Sequence, residues 1–430
     1  MAMAENETSN VTSGLCILPQ TITEDQWAFY HAFLWWVEGF GAILMGSIGI
    51  ALNSTTIFVL LGTELAASFF NWLLVSLAIF DIFFLLNGML EALRNHIGSS
   101  DTHTYVFIVF LYQCRSVVMC CSIYTTVVLA LERYNAIARP IAHQNVGFRT
   151  GRQSLGQYFS LHWVRLLKYI GPIILFSTIF YIPKRFELEI GYRNVCSRNE
   201  TFTNACSLMY DVKVADLRNN AHYNLWYINI ANFLVTVVIP VVSLTYLNMN
   251  IFLKFKEYLQ RQPRTNTQSS NQTEADAKMR KREKDMVQQT MILFSIVILF
   301  CLFHILRIVL NVEEFYSLSK REMANEQGCE WLQYWTIIAS PVSHILLLSS
   351  SSMNFIIYCY FNKAFREHLM KLIAPFASYL KRKYDTADAT GVSNGSLKNV
   401  REVNENTSPH TRVKYISAIE EVELNNIEKT

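Results

Sequence analysis

The sequence predicts an all-α membrane protein, a bundle of seven transmembrane helices with the N-terminus outside and an amphipathic eighth helix after the bundle. The composition is the first observation behind this prediction. Hydrophobic residues make up 51% of the 430 residues and charged residues only 17%, whereas soluble domains are about a quarter charged. The formal net charge of +3 is too small to indicate a nucleic-acid partner.

The second observation is the presence of seven apolar stretches that are long enough to cross a membrane. A helix rises about 1.5 Å per residue, so a hydrocarbon core of about 30 Å needs roughly 20 apolar residues. The stretches lie near residues 39–62, 68–92, 105–132, 166–184, 222–253, 286–311 and 331–360.

These stretches divide the chain into four regions. The predicted regions are an extracellular, glycosylated N-terminus (1–38), a seven-helix transmembrane domain (39–360), an amphipathic helix on the lipid of the inner leaflet (361–376) and a disordered cytoplasmic tail (377–430). The helix at 361–376 carries Phe361, Phe365 and Leu369 on one face, which is typical of a helix at a membrane surface. The tail is polar and poor in large apolar residues, which is typical of disorder.

The third observation is the distribution of Lys and Arg, which are enriched in cytoplasmic loops. Residues 1–38 contain neither, whereas segment 137–165 has four Arg and segment 254–285 is rich in both Lys and Arg. We therefore expect the N-terminus outside, in a multi-pass protein of the plasma membrane. Glycosylation sequons on the predicted outer segments lie at Asn6, Asn10 and Asn199.

One carboxylate, Asp81, lies in the middle of the second apolar stretch. A charge at that depth costs several kcal/mol unless it is paired or hydrated. Polar side chains that could reach it from other spans are Asn53, Ser122, Ser350, Ser351 and Asn354. Because oxygen atoms are the ligands that hard cations take, these residues predict a sodium site. A structural polar contact between helices is the alternative.

Several short motifs occur in a fixed order along the spans. They are GIALN with Asn53, LAIFD ending at Asp81, Glu132-Arg133-Tyr134 after the third span, Pro240 in the fifth, and NFIIY from Asn354 to Tyr358. In this order they resemble the rhodopsin-like (class A) G-protein-coupled receptors. SSSMNFIIYCYF, IPKRFELE and CLFHILRIVLN further resemble the invertebrate FMRFamide-type neuropeptide receptors. Phe355 and His304 stand where the family usually has proline.

The resemblance implies a receptor without enzymatic activity that activates a heterotrimeric G protein and also engages arrestin. The activation switch that it implies comprises Glu132, Arg133, Tyr134, Asn354 and Tyr358. We expect Glu132 to hold the guanidinium of Arg133 by a charge-assisted hydrogen bond until an agonist moves the sixth span. A plain interfacial cap at the end of the third span is the alternative.

The ligand class is inferred from polar residues in the upper helices. Aminergic relatives carry Asp eighteen positions before the switch arginine, where this chain has Arg115, so a protonated amine is disfavoured. The resemblance favours an extracellular amidated peptide, for example one ending in Arg-Phe-amide, and acidic outer-loop residues such as Glu187 would attract a basic peptide or simply be solvated. Candidate pocket residues are Glu91, Arg115, His304, Arg307, Asn311 and His344. A structural ion pair between Glu91 and Arg115 is as consistent with the sequence as a ligand contact.

Cysteines on the predicted outer segments indicate disulfide bonds. Cys16, Cys196, Cys206 and Cys329 allow three connectivities in an oxidising exterior. We expect Cys196 to pair with Cys206 within one loop and Cys16 to pair with Cys329.

Other function classes stay open at this point. A receptor of the same fold for a non-peptide small molecule is one alternative, and a membrane transporter is another. A transporter would carry paired intramembrane charges, broken helices or repeats, and the sequence offers little of this beyond Asp81 and the pair Glu91–Arg115. No cofactor is expected except an allosteric sodium ion, and no metal site is expected other than sodium at Asp81.

Overall fold

The chain forms long helices and a β-hairpin, which the computed structural model describes over residues 17–18, 22–62, 64–98, 100–138, 155–198, 204–261, 274–327 and 329–390. The chain divides into two units, Met1–Leu369 and Met370–Thr430. The first unit contains the seven spans and both strand pairs. The described part of the second unit, residues 370–390, is helical.

The seven predicted membrane spans are confirmed as long apolar helices. Spans 1 to 7 are Glu24–Leu61, Phe69–His96, Asp101–Ala136, His162–Phe186, Ala221–Lys254, Thr290–Arg321 and Tyr334–Phe361. Several helices run past these apolar limits, namely Tyr112–Ala138, Leu155–Phe180, Ile239–Arg261 and Glu274–Glu326. A further helix follows at Lys363–Thr390.

Short π-helical segments occur inside three of these spans. They are Trp35–Gly41 in span 1, Phe107–Leu111 in span 3, and Asn224–Ala231 with Leu234–Val238 in span 5. An extra residue per turn changes the direction in which side chains point, and such segments are frequent at functional sites. The segment in span 1 carries Glu38, which contributes to the site described below.

Span 1 begins fifteen residues earlier than the apolar stretch predicts, at Glu24 rather than at 39. Thr23 caps the helix, because its hydroxyl accepts from the Gln26 backbone N–H while the Gln26 side chain accepts from the Thr23 N–H. Residues 24–38, which the sequence assigns to the N-terminal region, are therefore helical. The last helix likewise runs past residue 376 to Thr390, and residues 391–430 of the predicted disordered tail lie outside the described part of the chain.

Glycines let spans 1, 2 and 7 approach closely. A Cβ atom at Gly49 would lie 2.2 Å from the Ser352 hydroxyl and 2.7 Å from Leu85, and one at Gly46 would lie 2.3 Å from Met89. Small residues bring helices together in this way in membranes. The close contact places Asn53, one turn after Gly49, against span 7.

The segment between spans 4 and 5 forms an antiparallel hairpin of β1 (Leu188–Arg198) and β2 (Asn204–Val214), with Leu188 opposite Val214. Its apolar side chains Leu188, Ile190 and Val212 pack on Phe107, Ile108 and Leu111 of span 3. We call this end of the bundle the hairpin end and the other the opposite end. A short parallel pair joins Ile17–Leu18 to Glu330–Trp331.

Candidate functional site

The centre of the bundle holds a buried polar group around Asp81, which is 1% exposed. Its carboxylate accepts hydrogen bonds from the Ser122 hydroxyl and from the Asn354 amide, both at 2.8 Å. These three residues line a cavity of about 50 Å³ together with Ser350 and Ser351. One water needs roughly 10–15 Å³ of such space, so the cavity has room for a small ion and a few waters.

Asn53 does not line this cavity but is hydrogen-bonded to the backbone of Ser351, which does. Its amide donates to the backbone carbonyls of Gly49 at 2.9 Å and Ser351 at 3.0 Å. The second bond crosses from span 1 to span 7 and fixes the backbone that carries Ser351. Asn53 is therefore connected to the polar core through the backbone of Ser351.

His304 lies at the same cavity as Asp81. It is buried, its Nδ1 lies 2.8 Å from the Phe300 carbonyl, and its ring packs 3.9 Å from the Phe300 ring. The sequence suggested His304 for the ligand pocket with Glu91 and Arg115. The structure instead places it in the middle of the bundle.

The opposite end of span 3 carries Glu132 and Arg133, both buried. The Arg165 guanidinium of span 4 lies 3.0 and 3.2 Å from the two carboxylate oxygens of Glu132. The Arg133 guanidinium lies 4.0 Å from the centre of the Phe70 ring, and that of Arg165 lies 4.2 Å from Phe69. Adjacent phenylalanines of span 2 thus hold two guanidinium groups by cation–π contacts, and Arg165 is a partner of Glu132 that the sequence did not indicate.

The remaining predicted switch residues lie at two depths. Tyr358 is 2% exposed and its ring packs against Phe365 at 5.8 Å. Tyr134 is partly buried against the same apolar core. Asn354 is bound to Asp81, so it connects the switch set to the polar core.

Near the hairpin end, two ion pairs cross between spans. Arg115 of span 3 pairs with Glu91 of span 2, as the structural alternative predicted. His344 Nδ1 of span 7 lies 2.7 Å from Glu38 of span 1. All four side chains, with His96, line a cavity of about 50 Å³, and Glu38 and His96 also border an open cavity of about 480 Å³.

A fully buried carboxylate lies beside the hairpin. Glu187 is 0% exposed and accepts from the Tyr112 hydroxyl at 2.5 Å, the Tyr223 hydroxyl at 2.9 Å and Arg218 Nη1 at 2.9 Å. Burial acts to lower the pKa of Arg218, but the neighbouring Tyr112 and Glu187 outweigh burial, so that the pKa is raised. This network joins span 3, the hairpin segment and the start of span 5.

Comparison with known proteins decides the family. The family model "7 transmembrane receptor (rhodopsin family)" matches residues 52–358. The chain belongs to the rhodopsin family of seven-transmembrane receptors. It is also similar to an FMRFamide receptor of Drosophila melanogaster, with 23% identity over 341 residues, which is 77% of this chain and 52% of that protein. The chain thus spans about half the length of that relative.

Membership of the rhodopsin family makes this protein a receptor, not an enzyme, and a multi-pass protein of the plasma membrane. The matched region begins just before Asn53 and ends at Tyr358. It therefore includes the Asp81 core, the Glu132-Arg133-Tyr134 end of span 3 and, at the hairpin end, Glu91, His96, Arg115 and His344 but not Glu38.

The predicted pocket residues of the receptor fall into separate groups. Glu91, Arg115 and His344 line one cavity at the hairpin end, whereas His304 lies deeper, at Asp81. Arg307 and Asn311 of span 6 are half-buried and share a face, since they are four residues apart. The structure thus brings three of the six predicted pocket residues together at one cavity.

Sequence reasoning did not assign Glu38 or Arg165 to these sites, and it expected Glu187 to attract a peptide or to be solvated, whereas Glu187 is buried. Glu38 directly precedes the first predicted span, Arg165 lies at the start of the fourth, and Glu187 directly follows the span that contains Pro183. All three lie at the edges of apolar stretches, where the sequence alone does not tell a solvated charge from a buried one. Their positions next to span ends were the available signal.

The predicted disulfides and glycosylation sites lie partly outside the described residues. In the hairpin, the backbones of Cys196 and Cys206 are directly opposite each other. In the short parallel pair Ile17 lies opposite Glu330, and Cys329 directly precedes Glu330 in the sequence. The described cysteines with free thiols are Cys114, Cys120, Cys121, Cys301 and Cys359, a set that does not include Cys329. Asn6, Asn10, Asn199 and the Cys16 residue itself lie outside the described ranges.

Proposed function

We propose that this receptor binds an extracellular amidated peptide of the Arg-Phe-amide type at the hairpin end and activates a heterotrimeric G protein at the opposite end. The observation that carries the proposal is the similarity to the Drosophila FMRFamide receptor over 77% of this chain. That similarity extends over 341 residues, so it includes most of the seven-helix bundle.

The chemistry of the hairpin end supports a peptide ligand. Glu38, Glu91, His96, Arg115 and His344 provide charged and polar groups around one cavity, and the wider cavity beside it has a volume of about 480 Å³. Ligand pockets commonly combine such a few polar groups with a cleft of about 300–1,000 Å³. A peptide amide would find both hydrogen-bond donors and acceptors there.

The opposite end supports coupling to a G protein. Arg133 is buried against Phe70 while Glu132 is held by Arg165, so outward movement of span 6 would expose a cationic group near the membrane boundary. We propose this movement as the switch and a G-protein helix as the partner, with arrestin as a second partner of the same surface. The amphipathic segment 361–376 is proposed to lie on the lipid of the inner leaflet.

The Asp81 core supports a sodium ion as an allosteric ligand. The carboxylate of Asp81 and the hydroxyls of Ser122, Ser350 and Ser351 supply the oxygen ligands that a hard cation prefers. A bound ion would offset the cost of a buried carboxylate. These residues would hold the ion, and Asn354 would link it to span 7.

The Cys196–Cys206 and Cys16–Cys329 disulfides, and glycans at Asn6, Asn10 and Asn199, belong to the same proposal. Directly opposed backbones in an antiparallel pair support the first disulfide. The parallel pair next to Cys329 supports the second. Both would lie outside the cell, where disulfides persist.

The experiment is a signalling assay on cells that express the full chain. Intracellular calcium and cyclic AMP are measured against a panel of amidated peptides, with several that end in Arg-Phe-amide and their free-acid counterparts as matched controls. A saturable response to an amidated peptide that is lost with its free acid is expected. No response from a receptor shown to be at the cell surface would overturn the peptide assignment.

A further inference from the structure

Glu38 of span 1 lines two cavities at the hairpin end. The inner cavity has a volume of about 50 Å³ and the open one a volume of about 480 Å³, and Asn95 and His96 of span 2 line both as well. Glu38 belongs to the π-helical segment Trp35–Gly41, and such segments are frequent at functional sites. Its side chain is 25% exposed, so a group that enters the open cavity can reach the carboxylate.

The inner cavity is lined by two carboxylates but by one arginine among the described residues. Arg115 forms its ion pair with Glu91. Its charge also acts on Glu38, but one arginine balances only one of the two carboxylates. Arg94 of span 2 lies 4.1 Å from the centre of the Phe107 ring and does not line the cavity. With neutral imidazoles, the side chains that line this cavity therefore carry one negative charge in excess.

Two imidazole rings lie at this cavity with Glu38. His344 Nδ1 lies 2.7 Å from Glu38 Oε1, and a neutral imidazole that donates through Nδ1 keeps Nε2 as an acceptor. The His96 ring packs against span 1, where a Cβ atom at Gly39 would lie 3.1 Å from its Cγ. His96 Nε2 is buried and has no hydrogen-bond partner among the described residues. The cavity therefore offers a carboxylate and imidazole nitrogens to a group with several N–H donors.

We propose that Glu38 binds a guanidinium group of the ligand in the inner cavity, between His96 and His344. This inference rests on the receptor function proposed above and adds one ligand group and its place. A guanidinium group carries its N–H donors in a planar fork and pairs with a carboxylate through two parallel bonds. The inner cavity has room for about three to five waters, which suits such a flat group. Its charge balances the carboxylate that Arg115 does not.

The test uses small probes, so it does not depend on the peptide. Full-length receptor in lipid nanodiscs is heated with a thiol-reactive dye, which reports unfolding because Cys120 and Cys121 are buried free thiols. The probe is N-acetyl-arginine amide. N-acetyl-citrulline amide has nearly the same shape without the charge and is the neutral control at equal ionic strength.

At roughly ten times its dissociation constant, N-acetyl-arginine amide is expected to raise the unfolding midpoint by about 1–3 °C. The citrulline probe should leave the midpoint unchanged. N-acetyl-lysine amide at the same concentration should give a smaller shift, because its ammonium is a point charge without the planar fork.

Two variants test the role of Glu38. Glu38→Gln should abolish the arginine shift, because glutamine keeps an acceptor for His344 but lacks the charge. His344→Lys should also abolish it, because the new ammonium would bind Glu38 in place of the ligand. Glu24→Gln is the matched control and should keep the full shift, since Glu24 lies exposed at the start of the same span.

The proposal is overturned if the arginine probe does not shift the natural receptor, if the citrulline probe shifts it equally, or if the shift survives in Glu38→Gln or His344→Lys. The first two outcomes need no variant, so they decide the question even where a variant does not fold. A lysine shift as large as the arginine shift would overturn the choice of a guanidinium group.

The same measurements separate this inference from the proposed function. A silent peptide panel with an intact arginine shift would reject the peptide assignment alone. A responsive panel without an arginine shift would reject the guanidinium site alone.

Discussion

Arg165 of span 4 holds the Glu132 carboxylate of span 3, with its Nη2 3.0 and 3.2 Å from the two oxygens. Glu132 is the residue next to Arg133, whose guanidinium lies over Phe70. A carboxylate that binds two arginines holds each of them less tightly than a carboxylate that binds only one. If Arg133 acts as the proposed switch, Arg165 therefore sets how easily Arg133 is released.

Replacing Arg165 by Gln should lower basal signalling and reduce agonist potency by about fivefold, a shift within the usual range of allosteric coupling. The reason is that Glu132 can then direct its charge to Arg133 and stabilise the inactive switch. Basal cyclic AMP and agonist concentration–response curves, normalised to surface expression, measure both effects.

Arg165→Lys is the matched control, because it keeps the charge but not the planar donor pair, and an intermediate effect is expected. The double variant Glu132→Gln/Arg165→Gln tests whether Arg165 acts through Glu132. If it does, adding Arg165→Gln to Glu132→Gln should not change signalling further. Raised basal signalling in Arg165→Gln would contradict the competition for Glu132.

Arg133→Ala should keep agonist binding and abolish agonist-driven nucleotide exchange on the G protein. Removing a buried charge that contacts a partner typically costs about 2–5 kcal/mol, and the proposed ligand site lies at the other end of the bundle. Radioligand binding and guanine-nucleotide exchange on the same membranes separate the two effects. Normal exchange in this variant would remove the switch role from Arg133.

Asp81→Asn should abolish the effect of sodium on agonist affinity. The amide cannot supply the negative charge that a cation needs in a cavity of this size. Its oxygen can still accept from Asn354, and its NH2 group can donate to the Ser122 hydroxyl, which donates to Asp81 in the natural receptor. In the natural receptor, replacing sodium with an organic cation should change agonist affinity by about fivefold or more. An equal change in Asp81→Asn would return Asp81 to a purely structural role, and Thr55→Ala on the exposed side of span 1 is a suitable control.

Hydropathy was sufficient to predict the seven spans, because crossing a hydrocarbon core requires a length of apolar helix that the sequence displays directly. It did not predict where the helices end. Span 1 starts at Glu24 and the helix of span 6 runs from Glu274 to Glu326, since hydrogen bonds and caps such as Thr23 continue a helix into water where hydropathy carries no signal.

Contacts within the candidate sites were predictable from the sequence where both partners lie on apolar helices with few polar side chains. Asp81 with Ser122 and Asn354, and Glu91 with Arg115, fall in this class, because a buried charge must find one of a small number of polar groups. The contacts of Glu187 and Arg165 were not predictable in this way, because they depend on how the hairpin segment and the start of span 4 pack against the bundle.

Glu187→Ala should lower the free energy of unfolding by about 2–3 kcal/mol. Removing the carboxylate leaves Arg218 without its ion pair and two phenols without an acceptor, and breaking a buried pair costs about 3–5 kcal/mol, reduced here because the Arg218 side chain is 38% exposed. Equilibrium unfolding of the full-length receptor, followed by the reaction of its buried free thiols with a thiol-reactive dye, measures this free energy. Glu189→Gln is the control, because Glu189 and its partner Lys213 are both exposed, and a change as large as that of Glu187→Ala would contradict the argument from burial.

Serine substitutions test the two proposed disulfides as thermodynamic cycles. If Cys16 pairs with Cys329, the two single variants should lose the same stability, about 2–4 kcal/mol, and the double variant should lose no more than either. The same holds for Cys196 and Cys206, whose backbones face each other in the hairpin. Unfolding followed by tryptophan fluorescence, which a thiol left free in a single variant does not disturb, gives the three values for each pair. Losses that add in the double variant would show that the two cysteines act independently. If the double variant of Cys206 and Cys329 instead loses no more than either single variant, the connectivity is Cys206–Cys329 with Cys16–Cys196.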